Sequence, residues 1–316
     1  MKLRLHLALF APALAFAAAE PGPRIVVSAY TFHTFTVFEA VEKTAQCGAH
    51  FIETFTNQSL SPADPTKIYE LSDAQRALLR EHLVKHHVEI VSCMGAVPKD
   101  EAKARVFFDT AKKLGAMNIG TDSVDSIDTI QKIIGDYDLT VAFHNHAADP
   151  KKPEYRNSDP VFMRDLLNGL HPRIGVCADT GHYATSGVVP LDAIKLLTGR
   201  VRSVHLKERS AIGTRTPDQV YGTGVSRIAD ILAELCRQNF SGPIVIEFEA
   251  NPRDNLTEVT QCVDFLQKHL SHSASTQLTP PLFPAAPFSR PAPPPRRCAL
   301  SHASRSVRKA HPRAKK

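Results

Sequence analysis

Residues 139–149 read LTVAFHNHAAD, an apolar run of strand length that ends abruptly in two histidines around an asparagine. A buried imidazole needs partners for its ring nitrogens, so this ending leaves two readings open: a metal site, or hydrogen bonding in a crowded loop. The same layout recurs along the chain. Apolar runs predicted as strands lie at 25–29, 50–54, 88–94, 117–120, 139–144, 173–179, 201–206 and 243–247. Longer amphipathic segments separate them.

Those separating segments carry helix signals of their own. TVFEAVEKTAQCG places Val37, Ala40, Val41 and Ala45 at helical spacing and closes on Gly48. LSDAQRALLREHLVKHH begins with a Ser72 cap and sets Leu78, Leu79 and Leu83 on one stripe. PKDEAKARVFFDTAKKLG has acids in its first turn, lysines in its last and Gly115 as a stop, and GVSRIADILAELCRQNFSG repeats the theme with Ile228, Ile231, Leu232 and Leu235. Eight strands, each followed by a helix within about 250 residues, match an α/β fold of the (β/α)8 TIM-barrel type. A doubly wound sheet shows the same alternation, and periodicity does not tell whether the first and last strands pair. No glycine-rich phosphate loop follows a strand, so nothing supports a nucleotide cofactor.

The two ends of the chain differ from its body. Residues 1–20, MKLRLHLALFAPALAFAAAE, run from Lys2 and Arg4 through an apolar stretch to small residues. That is the layout of a secretory signal, with cleavage expected between Ala17 and Glu20, a periplasmic or secreted destination and no membrane span in the mature form. Residues 271–316 are rich in proline and serine, then basic, and are expected to be a disordered tail unable to bury enough apolar area to offset its ordering entropy. The barrel is therefore assigned to 24–270.

Charge has to be read with those boundaries in mind. Of the 316 residues 43% are hydrophobic and the formal charge is +6, yet the tail beyond Pro281 holds nine Lys or Arg and no acid. The remainder carries −3, or −5 without Lys2 and Arg4. The expected fold is mildly acidic, and no specific nucleic-acid partner is expected. Six cysteines (Cys47, Cys93, Cys177, Cys236, Cys262 and Cys298) are widely spaced and form no CxxC pair, which argues against a thiolate metal site or a disulfide-dense scaffold.

In a barrel the C-terminal strand ends share one rim, so residues distant in sequence converge there. The second strand ends at Glu53, the fifth at His144, Asn145 and His146, the sixth at Asp179 and His182, the seventh at His205 and Lys207, the eighth at Glu247 and Glu249. Carboxylates and imidazoles are the donors that zinc, manganese, cobalt and magnesium accept. Asp179, placed straight after IGVCA, must desolvate unless a cation or hydrogen bonds compensate it.

VAFHNH, GVCADTGHYATSG, VHLKE, YGTGVSRIADIL and FSGPIVIEFE follow one another in an order that resembles the sugar phosphate isomerase/epimerase family of xylose isomerase-like TIM barrels, from about Arg24 to Gln267. The resemblance implies one divalent metal ion (Mn, Zn, Co or Mg) held at the barrel mouth by Glu, Asp, His and Glu from the fifth to eighth strands. Here those positions are His144, Asp179, His205 and Glu247, with His144 replacing the first glutamate. His182 matches a histidine that often lies against substrate, Lys207 a residue that commonly faces the sugar, and Glu53 a strand-two acid of variable role.

In the family's epimerases the two glutamates ligate the ion and move a proton through an enediolate. With His144 as a ligand, Glu247 retains its acid/base role, and the second acid/base is expected among His146, His182, Glu53 and Lys207, because a metal-bound nitrogen cannot also take the proton. The expected function is a metal-dependent sugar or keto-sugar isomerase/epimerase acting on a small-molecule carbohydrate. The alternatives are a keto-sugar lyase or dehydratase on the same metal site, and a non-catalytic carbohydrate-binding barrel. Two loops bear on anion binding: Arg156 in PEYRNSDP reads as a solvent-facing ion-pair residue, and the backbone of YGTG, residues 221–224, offers N–H groups at a helix start.

Overall fold

The chain is described as a computed structural model over residues 23–276, with side chains to residue 270. The expected signal at 1–20, Cys298 and the tail beyond residue 276 lie outside the described residues. In chain order the elements are β1 (Arg24–Ser28), α1 (Val37–Gln46), β2 (Phe51–Phe55), β3 (Ser59–Ser61), β4 (Asp64–Lys67), α2 (Asp73–His86), β5 (Glu89–Met94), α3 (Glu101–Leu114), β6 (Asn118–Thr121) and α4 (Ile127–Ile133). There follow β7 (Thr140–His144), α5 (Pro160–Leu166), β8 (Ile174–Asp179), α6 (Thr180–Thr185), α7 (Pro190–Leu196), β9 (Val201–Leu206), α8 (Ile228–Arg237), β10 (Pro243–Ile246) and α9 (Leu256–Thr276).

Eight parallel strands close in the order β1-β10-β9-β8-β7-β6-β5-β2. Closure is direct: Val26 of β1 is in register with Phe51 of β2 on one side and Val245 of β10 on the other. A doubly wound sheet would leave those edges open, so that alternative is excluded. The added antiparallel pair β3–β4 was not expected, because its strands of three and four residues are too short to show a period of two.

Local chemistry fixes the helices. Thr36 with Glu39 caps α1, and Ser72 with Gln75 caps α2, each as a reciprocal capping box. Gly115 ends α3 with φ of 101°, a left-handed geometry that glycine adopts without a Cβ penalty. Ile228, Ile231, Leu232 and Leu235 of α8 are buried, as their spacing predicts. On α2, Leu79 and Leu83 are buried but Leu78 is 53% exposed, so the apolar stripe is narrower than expected. The last helix continues to Thr276, into the segment assigned to the tail.

Most apolar side chains fill the layer between sheet and helices, Ile244 and Ile246 of β10 among them. Their neighbour Val245 faces the lumen instead, where it packs with Val26 and Val91. Two residues further along the same face come Ser28 on β1 and Glu247 beyond β10, so the lumen turns from apolar to polar toward the C-terminal rim. Among the described residues no helix is long and apolar enough to cross a membrane. Cys47, Cys93, Cys177 and Cys262 are buried and share no disulfide.

Close strand packing gives a first test. A Cβ on Gly175 would lie 2.0 Å from the carbonyl oxygen of Arg200, which accepts the Val176 N–H at 2.8 Å. Gly175→Ala is expected to lower stability by roughly 1–3 kcal/mol in denaturant unfolding, whereas Gly135→Ala, with nothing within 4 Å of its Cβ position, should be near neutral. Equal midpoints for the two variants would contradict this packing.

Candidate metal centre

Four neighbouring strands bring their ends together. His144 closes β7, Asp179 closes β8, His205 lies in β9 in register with Asp179, and Glu247 follows β10 directly. All four side chains are buried, and each offers a ligand atom such that the set lies within 4.8 Å of one another. His144 Nε2 is 3.3 Å from Asp179 Oδ2, and His205 Nδ1 is 3.1 Å from Glu247 Oε2. The His144 Nδ1 atom is buried without a hydrogen-bond partner. Two imidazoles and two carboxylates converging with an orphaned ring nitrogen fit a divalent ion of the zinc, cobalt or manganese type.

Glu53 occupies a different place from the one a proton carrier needs. It is 1% exposed and does not line the cavity; its Oε1 sits 2.8 Å from His205 Nε2, on the side of the ring away from Glu247. That contact is an ion-pair approach without hydrogen-bond alignment, so Glu53 Oε1 and His205 Nε2 are both left without a hydrogen-bond partner while His205 turns Nδ1 toward Glu247. Glu53 is itself held in place. Its Oε2 accepts from Ser92 Oγ at 2.6 Å, that hydroxyl accepts from Asn118 Nδ2 at 3.0 Å, and Asn118 Oδ1 accepts from Thr140 Oγ1 at 2.8 Å. One chain of polar contacts thus crosses β2, β5, β6 and β7 beneath the rim.

Lys207 is also fully buried. Its ammonium lies 2.7 Å from Glu247, 3.3 Å from Asp179 and in contact with Glu249. Burial disfavours that charge, but Asp179, Glu247 and Glu249 outweigh it and hold the lysine well above its usual range. Burial likewise pushes the Asp179 carboxyl up, and the Lys207 ammonium with the hydrogen bond to His144 more than offsets it, so Asp179 stays ionised. For His205, burial is overcome by Cys177 and by the carboxylates of Glu53 and Glu247. Cys177 forms a compact buried group with His144 and His205. Burial raises its thiol pKa, which disfavours the thiolate a metal needs.

The HNH ending divides its labour. His144 faces the lumen, while Asn145 pairs reciprocally with the Asp179 backbone, accepting its N–H at 2.8 Å and donating to its carbonyl at 3.2 Å. His146 enters the cavity. The loop PEYRNSDP braces the two histidines: Tyr155 accepts the His146 N–H at 2.7 Å, and Asn157 donates to the His144 carbonyl at 3.1 Å. Arg156 pairs with Asp159 at the surface. The YGTG backbone does hold an anion, and it is the chain's own Glu208, which accepts from the N–H groups of Ser226 at 2.7 Å and Gly222 at 3.2 Å.

An inner cavity of about 370 Å³ opens over the cluster, with His144, His146, His182, Asp122, Tyr30 and Glu247 among its walls. A second cavity of about 710 Å³ adjoins it and shares Asp122, His146, His182 and Arg215. Of the four candidates for a second proton carrier, His146 and His182 therefore reach the cavity, and Glu53 and Lys207 do not. Burial pushes the His182 imidazole down to about 3 despite the nearby Asp179, so it is neutral at physiological pH. Arg215 has no signal in the aperiodic stretch SAIGTRTPD, and sequence reasoning passed over it.

Residues 121–269 match the family described as xylose isomerase-like TIM barrel. Among solved structures, an uncharacterised protein of Parabacteroides distasonis ATCC 8503 is 30% identical with a TM-score of 0.62, covering 78% of this chain and 98% of its own. The chain belongs to the xylose isomerase-like TIM barrel family. A D-allulose 3-epimerase from Methylomonas sp., in complex with D-allulose, shares the fold at 14% identity and a TM-score of 0.58, covering 79% of this chain and 98% of its own. The probable 3-DHS dehydratase of petrobactin synthesis from Bacillus anthracis does so at 15% and 0.61, covering 77% and 98%. No curated protein gives a significant match.

A glutamine at position 53 keeps an acceptor for Ser92 but removes the negative charge that lies 2.8 Å from His205 Nε2. Glu53→Gln is expected to weaken divalent-ion binding by about 10–100-fold, read by competition with a chromophoric chelator, with the far-ultraviolet circular dichroism unchanged. Wild-type affinity in that variant would remove Glu53 from the metal centre.

Proposed function

We propose that the protein is a metal-dependent isomerase or epimerase of a sugar or keto-sugar, working through an enediolate. The observation that carries this reading is the convergence of His144, Asp179, His205 and Glu247, of which His144 and Glu247 reach the inner cavity, with His146 and His182 in its wall. These four side chains would hold the ion, with Glu53 as the residue that positions His205. When bound, a divalent ion supplies Lewis-acid polarisation of the substrate carbonyl and offsets the negative charge that develops on its oxygen.

The chain's own groups then carry the proton. His146, which lines both cavities, is the group placed to take a proton from the carbon beside the carbonyl, because burial leaves His182 too weak a base. His182 stacks on it with ring centres 5.2 Å apart and is the second proton carrier in the same wall. Glu247 belongs both to the cluster and to the cavity lining, so it stands ready as a third. Return of the proton to the same carbon from the other face gives an epimer, and its return to the former carbonyl carbon gives the isomer. Fold relatives that include a sugar epimerase support this class.

Replacing glutamate by His144 also fits the charge. The family pattern of Glu, Asp, His and Glu would carry three negative charges, while His144, Asp179, His205 and Glu247 carry two, which balances a divalent ion and favours zinc or cobalt over magnesium. The expected export signal places the enzyme in the periplasm or outside the cell. A second reading, elimination from a keto-sugar, is favoured by the adjoining cavity of about 710 Å³, which has room for a leaving group beyond the ring, and a dehydratase shares the fold.

Proton NMR in deuterated water, with a panel of keto-sugars and metals, separates these readings. Isomerase or epimerase activity predicts deuterium at the carbon beside the carbonyl with no loss of mass elsewhere, whereas elimination predicts an unsaturated product. His146→Ala should slow turnover by about 10²–10⁴-fold, and Asp179→Ala should abolish it. Tight sugar binding with no exchange across the metal panel would leave a non-catalytic binding barrel instead.

A further inference from the structure

A second group of metal-ligating side chains lies on the outer wall, away from the rim. Glu42 on α1 and His82 and His86 on α2 each offer a ligand atom within 4.8 Å of the others. The two histidines are four residues apart, so they share one helix face, and their ring centres are 4.6 Å apart. Both Nε2 atoms point at the same carboxylate oxygen, Glu42 Oε1, at 3.5 Å from His82 and 3.9 Å from His86.

Those separations are too long for N–H···O hydrogen bonds, which lie at about 2.7–3.2 Å. They are close to the edge of a coordination polyhedron instead: zinc–ligand bonds of about 2.0–2.1 Å in tetrahedral geometry set neighbouring donors about 3.3 Å apart. The His86 Nε2 atom is buried and has no hydrogen-bond partner. His82 is held by stacking on Phe38 with ring centres 4.0 Å apart, and its Nε2 also lies 3.1 Å from the Phe38 carbonyl. That contact is the one a metal would displace. Glu42 is 43% exposed, so water has access to a fourth position.

We propose that Glu42, His82 and His86 form a second, structural metal site, selective for imidazole-seeking ions such as zinc, that clasps the first two helices of the barrel together. It is independent of the chemistry at the barrel mouth. The test is zinc per chain after equilibration with free Zn²⁺, measured by elemental analysis on the full chain, together with the thermal midpoint with and without zinc. His86→Ala and Glu42→Gln should each bind one equivalent fewer than wild type and lose part of the zinc-dependent rise in midpoint. Both should keep whatever activity the wild type has. Asp179→Ala should lose a different equivalent, at the barrel mouth, and retain the clasp. Equal zinc content in wild type, His86→Ala and Glu42→Gln would overturn the proposal, whatever the barrel mouth binds.

Discussion

Glu53, Asp179 and Glu247 are carboxylates buried within one end of a barrel, and their need for positive charge governs everything around them. Taking an ion out of water costs several kcal/mol even after relaxation, so the cluster cannot stand unless cations are built in. Lys207 supplies one, threaded fully buried between Asp179 and Glu247. His205 supplies another between Glu53 and Glu247. The field that holds an ammonium and an imidazolium there is the field that would draw in a divalent ion, and such an ion would compete with the His205 proton for the ring.

The remaining structure keeps these groups from relaxing. Ser92, Asn118 and Thr140 pass hydrogen bonds from strand to strand behind Glu53, and Asn145 locks the end of β7 to the start of α6. Asp179 does two jobs at once: Oδ1 caps α6 by accepting the His182 N–H at 2.7 Å, which leaves Oδ2 facing His144 and Lys207. The residues that reach the cavity are thereby separated from those that fix geometry. His146, His182 and Glu247 line the cavity, while Glu53 and Lys207 act from beneath it.

Much of this was legible in the sequence, for a physical reason. Parallel strands buried on both faces read as continuous apolar runs, and every barrel strand lies within one residue of its expected bounds. Barrel topology then makes strand ends converge, which marked the rim residues from Glu53 to Glu249, and the family resemblance singled out His144, Asp179, His205 and Glu247 among them. What the sequence did not carry was direction. Glu53 shares the strand-end position of the others, and nothing in FIETF tells that His205 stands between it and the cavity. Leu78 lies one residue from a buried position on a helix, where periodicity is least discriminating. Arg215 and Tyr155 sit in loops with no period, and their places follow only from how those loops fold over the rim.

The most direct measurement is anomalous diffraction from crystals soaked with cobalt or zinc, recorded at the metal's absorption edge. The account predicts a peak bounded by His144, Asp179, His205 and Glu247, about 2.0–2.2 Å from their nitrogen and oxygen donors. Metal-loaded crystals with no peak among those four side chains, or with His205 still closed between Glu53 and Glu247 and unligated, would contradict it.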